Sequence, residues 1–180
     1  MPSPAAPITS ARKLLRRFRR NRRASAAVEF ALVAPAFFAL LFAILETAIV
    51  FLAGQVLETI TQNGARMILT GQAQNLGYSP AQFQTYLCNQ VPALFNCAGI
   101  YVDVQSYPAF SNITINSQID ASNNFIIPTN YSPGGPGSIV VVRVFYQWQL
   151  FVTGLGYNIS NLSGSKRLLS ATAAFQNEPY

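Results

Sequence analysis

The stretch SAAVEFALVAPAFFALLFAILETAIVFLAG, residues 25–54, decides how this chain is read. From Phe30 to Leu45 sixteen residues carry no charge, Glu46 interrupts, and apolar sequence resumes through Ala53. Phe30 to Ala53 makes 24 residues. As a helix rising about 1.5 Å per residue that is roughly 36 Å, enough to cross a hydrocarbon core of about 30 Å. A removable secretory signal has a shorter apolar core of about 7–15 residues. A buried helix of a soluble domain is the remaining alternative, and one that is apolar all round for this length is unusual in so small a chain.

Upstream, residues 1–11 are rich in Pro, Ala and Ser, a composition that favours disorder. Eight of the twelve basic residues follow, Arg12, Lys13, Arg16, Arg17, Arg19, Arg20, Arg22 and Arg23, and no acid stands among them. Beyond them four bases (Arg66, Arg143, Lys166, Arg167) face six acids (Glu29, Glu46, Glu58, Asp103, Asp120, Glu178). The net charge of +6 is therefore a basic tip on a faintly acidic body. Lys and Arg stay on the cytoplasmic side of a span, which puts residues 1–24 inside and residues 55–180 outside. A nucleic-acid-binding arm would need a reading surface behind it, and none follows, so no nucleic-acid partner is expected. Nor do these bases, in four pairs of which three are Arg-Arg, form one clear twin-arginine export motif.

Two acids lie in the apolar segment. Glu29 stands at its cytoplasmic entry, beside Phe30. Glu46 comes sixteen residues after Phe30, about 24 Å along a helix, towards the outer edge of the bilayer. It reads equally as an interfacial residue that snorkels and as an intramembrane contact with a partner helix. Pro35, in the first turns of the span, can kink it.

The order of residues Arg22-Arg23-Ala24-Ser25-Ala26-Ala27-Val28-Glu29-Phe30-Ala31-Leu32-Val33-Ala34-Pro35, continued by Leu41-Phe42-Ala43-Ile44-Leu45-Glu46, resembles the TadE-like family of the tight-adherence (Tad/Flp) pilus system. The resemblance covers residues 25–69, and the closing Phe175-Gln176-Asn177-Glu178-Pro179-Tyr180 is similar to the end of such proteins. It implies a minor pseudopilin, a structural and assembly component of a pilus used in surface attachment. The partners it implies are a prepilin peptidase, other pilins and pseudopilins, and inner-membrane assembly proteins. In related pilins the peptidase cuts after a small residue, typically glycine, and a glutamate stands five residues beyond the cut. That count makes Ala24 the last leader residue and Ser25 the first mature one, with Ala24 in place of glycine. The implied location is the bacterial inner membrane, single-pass, with the C-terminal domain periplasmic and an extracellular pilus reached after processing. An uncleaved bitopic assembly factor of the same machine is the alternative.

Cleavage before Ser25 would create an α-amine that is mostly protonated at neutral pH. A carboxylate at Glu29 can neutralise it, in its own chain or a neighbour's, at the mouth of an apolar helix where charge pairing counts. The cut would also remove all eight leader bases, which otherwise hold the N-terminus in the cytoplasm.

The exported part is expected to be α+β: a long transmembrane and stem helix packed on a small antiparallel sheet, as in pilins. The domains are a basic leader over 1–24, a transmembrane helix over 25–54 continuing as an amphipathic stem to about 70, and an exported α+β domain over 71–180. Val56, Ile60, Ala65, Met67, Ile68 and Leu69 continue the helical pattern, and Gly71 can stop it. Ser79-Pro80 starts a short helix running to about Asn89. Alternation predicts strands over 100–107, weakly over 113–119, over 139–151 and over 168–175, with an emphatic turn at Pro133-Gly134-Gly135-Pro136-Gly137. Cys88 and Cys97, in an exported and oxidising setting, favour a disulfide contributing about 2–3 kcal/mol in the chain-entropy model. The four Asn-x-Ser/Thr triplets, at Asn112, Asn130, Asn158 and Asn161, matter only in a eukaryotic secretory path. With no histidine in the chain, His-based acid–base chemistry and His-ligated metals are excluded. No nucleophile–base pair and no phosphate loop is visible. No catalytic residue, metal or cofactor is therefore expected, and the chain reads as a non-enzyme.

Overall fold

The structure, a computed structural model, describes residues 22–91, 94–153 and 157–180, with side chains from Ala26 onward. The leader residues before Arg22 lie outside the described residues. Helix α1 runs from Arg22 to Leu69 and passes through Pro35 without a break. The chain divides into two compact units, Met1–Ile44 and Leu45–Tyr180.

In the first unit α1 buries almost nothing. Phe30, Leu32, Val33, Phe37 and Leu40 are all more than half exposed. Water would penalise that surface at about 25 cal/mol per Å²; hydrocarbon would not. The helix from Ala26 on has a mean hydropathy of 2.5 in its most apolar window, long and apolar enough to cross a membrane.

In the second unit the same helix becomes one-sided. Glu46, Val50, Ala53, Leu57, Ile60, Thr61 and Ile68 are buried, a stripe at the three- and four-residue spacing of one helix face. Strands β1 (Ile100–Tyr107), β2 (Ile139–Gln149) and β3 (Lys166–Gln176) form a three-stranded antiparallel sheet in that order. Val102 pairs with Val144, which pairs in turn with Ala171. Residues alternate across a strand, so Ile100, Val104, Val140, Val142, Val144, Leu169 and Ala171 share one face, and they join the α1 stripe in a single core. The architecture is thus a long N-terminal apolar helix packed on a small antiparallel sheet, as the sequence reading expected.

Two short helices complete the stem side, α2 (Gln72–Asn75) and α3 (Pro80–Cys88). The Ser79 hydroxyl caps α3 and the Gln82 side chain returns to the Ser79 N–H, a capping box with proline in the first turn. Phe83 and Leu87 of α3 are fully buried. At Gly64 of α1 an added Cβ would stand 2.6 Å from Leu87 Cδ2, so only glycine lets α3 approach this closely. A disulfide between Cys88 and Cys97, with Cα atoms 5.4 Å apart, ties the end of α3 to the entry of β1.

Helix α1 ends at Gly71, whose φ of 74° is the left-handed conformation glycine adopts at no cost. The C-terminal tail closes over this point. The Glu178 N–H donates to the Leu69 carbonyl at 3.0 Å, and Tyr180 lies where a Gly71 Cβ would be. Asn177, buried, donates its amide to the carbonyls of Pro133 and Gly135 at 2.9 and 3.0 Å. The closing residues thus pin the Pro-Gly turn to the end of the stem.

The other sheet face carries a buried ion pair. Asp103 and Arg143 are direct partners in the β1–β2 register, and Arg143 Nη2 meets Asp103 Oδ2 at 2.6 Å. Gln105 and Asn130 also donate to Asp103, and Arg143 Nη1 donates to the Asn116 carbonyl. Arg143 lies over the Phe145 ring, 5.4 Å from its centroid. This network explains one departure from expectation. Residues 113–119 alternate like a strand but form none, and only Ile119 makes an isolated bridge, to Phe125. The carbonyls of Thr114 and Asn116 accept from Tyr107 and Arg143 side chains, so the segment is a cover over the ion pair. Strand β2 also stops at Gln149, short of Phe151, and β3 begins at Lys166 rather than Leu168.

Removing one partner of a buried pair leaves the other charge uncompensated. Asp103→Ala should therefore lower unfolding stability by about 3–5 kcal/mol. The double variant Asp103→Leu with Arg143→Met should lose less than the single one. Denaturant unfolding followed by Trp148 fluorescence measures both.

Candidate functional site

The residues singled out in the sequence fall in two places on α1. Ala24 and Ser25 lie in its first turn, where backbone N–H groups have no intrahelical partner. Glu29 and Phe30 follow, both exposed, Phe30 at 70 %. Glu29 stands four residues after Ser25, the spacing at which side chains of one helix face meet. An amine created at Ser25 would thus lie one turn from the Glu29 carboxylate.

The second place is where the helix changes character. Glu46 is the first member of the core-facing stripe and only 8 % exposed. Its carboxylate accepts from the backbone N–H of Phe151 and from that of Val152, the latter at 3.2 Å. One residue on, the Thr47 hydroxyl and the Tyr157 hydroxyl are 2.8 Å apart. The buried contact of Glu46 is thus made with its own domain, at the end of β2. A carboxylate without a cation is costly to bury unless hydrogen-bonded, and two convergent amides meet that need. Sequence reasoning found Glu46 but missed Phe151 and Val152. The signal for the burial was present, since Glu46, Val50, Ala53 and Leu57 fall on one helical stripe; the identity of the partner was not.

Among the described residues no three His, Cys, Asp or Glu side chains converge on a possible metal. Burial, with the neighbouring Tyr78, pushes the Tyr131 phenol up to about 12, away from the neutral range. Asp120 is held below its usual range by the Asn124 backbone N–H and side-chain amide, with the Ser122 N–H adding to them, as the acceptor of a tight loop.

Glu46→Ala should leave the Phe151 and Val152 amides without an acceptor, loosening this junction by about 1–3 kcal/mol. Hydrogen exchange at those two amides should accelerate while the β2 amides from Ile139 to Gln147 stay protected. Glu46→Gln keeps a carbonyl acceptor and should show a smaller change.

No curated protein and no solved structure matches the chain. Residues 24–66 match the family model described as TadE-like protein. That range takes in the Ala24–Ser25 junction, Glu29, the exposed apolar helix and Glu46, and it points to a component associated with a Tad pilus. Over residues 24–66 the chain is similar to the TadE-like family.

Proposed function

We propose that this protein is a TadE-like minor pseudopilin: a single-pass protein of the bacterial inner membrane, processed by a prepilin peptidase, that helps assemble an adhesive tight-adherence pilus. The observation that carries this reading is the coincidence of three things on α1. The family match begins at residue 24, the Ala24–Ser25 bond precedes Glu29 by the pilin count, and the helix then exposes apolar side chains from Val28 to Leu45.

In this reading the bilayer surrounds α1 over roughly residues 26–45, and the basic leader holds the N-terminus in the cytoplasm. The unit from Leu45 onward is periplasmic, where its disulfide is stable. Cleavage at Ala24–Ser25 removes the eight basic residues and leaves a helix whose only exposed charges at the entrance are the new amine and Glu29. Those two neutralise each other, so the helix can leave the bilayer and pack among other pilin helices without an unpaired charge. The pilins and the inner-membrane assembly proteins are then its partners. Ala24 in place of glycine favours a second reading, an uncleaved bitopic protein that stays in the membrane as a static assembly factor.

N-terminal sequencing of protein from cells with and without the peptidase separates the two. The expected mature start is Ser25 when the peptidase is present and Met1 when it is absent; a start near Met1 in both selects the uncleaved factor. In the cleaved case Glu29→Gln should leave membrane insertion intact, because the residue is at the helix mouth, and should reduce pilus assembly. Fractionation and pilus counts read the two effects separately.

A further inference from the structure

Helix α1 is two-faced over residues 46–53. Glu46, Val50 and Ala53 turn to the core, whereas Ile49, Phe51 and Leu52 are 44, 69 and 57 % exposed. The uncovered apolar surface therefore continues six residues past Glu46, about 9 Å along the axis. Phe151 is tied to Glu46 by its own backbone N–H, so it stands at the level of Glu46, on the membrane side of Leu52. Phe151 is 83 % exposed, more than Leu32 of the apolar helix at 75 %.

We propose that Phe151, Val152 and Tyr157 form a lipid-binding foot, which seats the domain in the outer-leaflet interface of the bilayer. The proposal rests on the membrane-spanning reading of α1. Its occupant is lipid because the foot stands at the level of Glu46, just before Ile49, Phe51 and Leu52 of α1, which also expose apolar surface, and because the sequence carries no charge from Val144 to Ser165. Tyr157, 38 % exposed with its hydroxyl on Thr47, has the apolar body and polar tip that suit the interface. Glu46 then has a specific task. A backbone N–H in hydrocarbon must find its acceptor inside the protein, and Glu46 supplies that acceptor to the two residues of the foot. In water those amides would need no such partner. Seating the foot also fixes how far α1 rises from the membrane, since Glu46 couples the two.

The test uses the full chain in vesicles of phosphatidylethanolamine and phosphatidylglycerol, at low protein content. The two native cysteines are joined, so one added thiol takes an environment-sensitive fluorophore. Labels are placed at Phe151→Cys, at Leu40→Cys in the span, and at exposed Ser122→Cys. Val152→Cys provides a second position on the foot should the first disturb folding, which Trp148 fluorescence checks. The label at 151 or 152 is expected to emit blue-shifted, away from water, and to be quenched by lipids that carry a nitroxide near the headgroup. Mid-chain nitroxides should quench Leu40, and Ser122 should respond to neither. Quenching at Leu40 with a water-exposed, unquenched label at 151 and 152 overturns the foot and leaves the span standing. A label at 151 that is shielded from water yet insensitive to nitroxide lipid puts protein against it, and also overturns the proposal. No quenching at Leu40 overturns the membrane-spanning reading and the foot together.

Discussion

One unbroken helix carries two kinds of surface. From Phe30 to Ile44 the side chains of α1 are apolar and largely exposed, a surface that water penalises. From Leu45 on, a single stripe is buried and the opposite side turns progressively polar, with Gln55, Glu58, Thr59, Gln62 and Asn63 away from the core. The helical backbone continues through both parts, apart from the donor missing at Pro35, so the change is made by side chains. Everything else in the second unit is arranged around that stripe.

Glu46 marks the change. A carboxylate this far along an apolar run has three physical outlets: water, a cation, or convergent N–H donors. The end of β2 supplies the third, because the strand leaves the ladder after Gln149 and turns two backbone amides toward the helix. A single residue thereby joins the start of the stem to a point more than a hundred residues later in the chain. The opposite end of the stem is closed in a similar way. Asn177 and Gln74 hold the Pro133–Gly137 turn, while Tyr180 covers Gly71. With the disulfide joining α3 to β1, the helices and sheet are bound together through backbone groups at both ends and a covalent link at the side.

This design fits a part whose work is mechanical. The apolar core is continuous between helix and sheet, and the buried ion pair Asp103–Arg143 is enclosed by amides and a carbonyl in a way that fixes the covering segment. A stem that belongs to the core from Val50 to Ile68 cannot separate from the domain without exposing most of that core.

Which residues would be helix was a local matter, and local composition carried it. The sixteen uncharged residues from Phe30 to Leu45, the Ser79-Pro80 helix start, and the alternation over 100–107 and 139–151 each report a property of their own backbone. The weak alternation over 113–119 misled because alternation states which residues share a face, not whether a neighbouring edge is free. Here the open side of β1 is taken in part by the bonds of Val104 to Asn130 and Ser132. Glu46 could be singled out as a charge in an apolar run, and even placed on the buried stripe. Its partner could not be named, because an N–H at Phe151 is chemically identical to the N–H of nearly every other residue. Only the folded chain, by ending β2 two residues earlier, decides which amides turn to meet it.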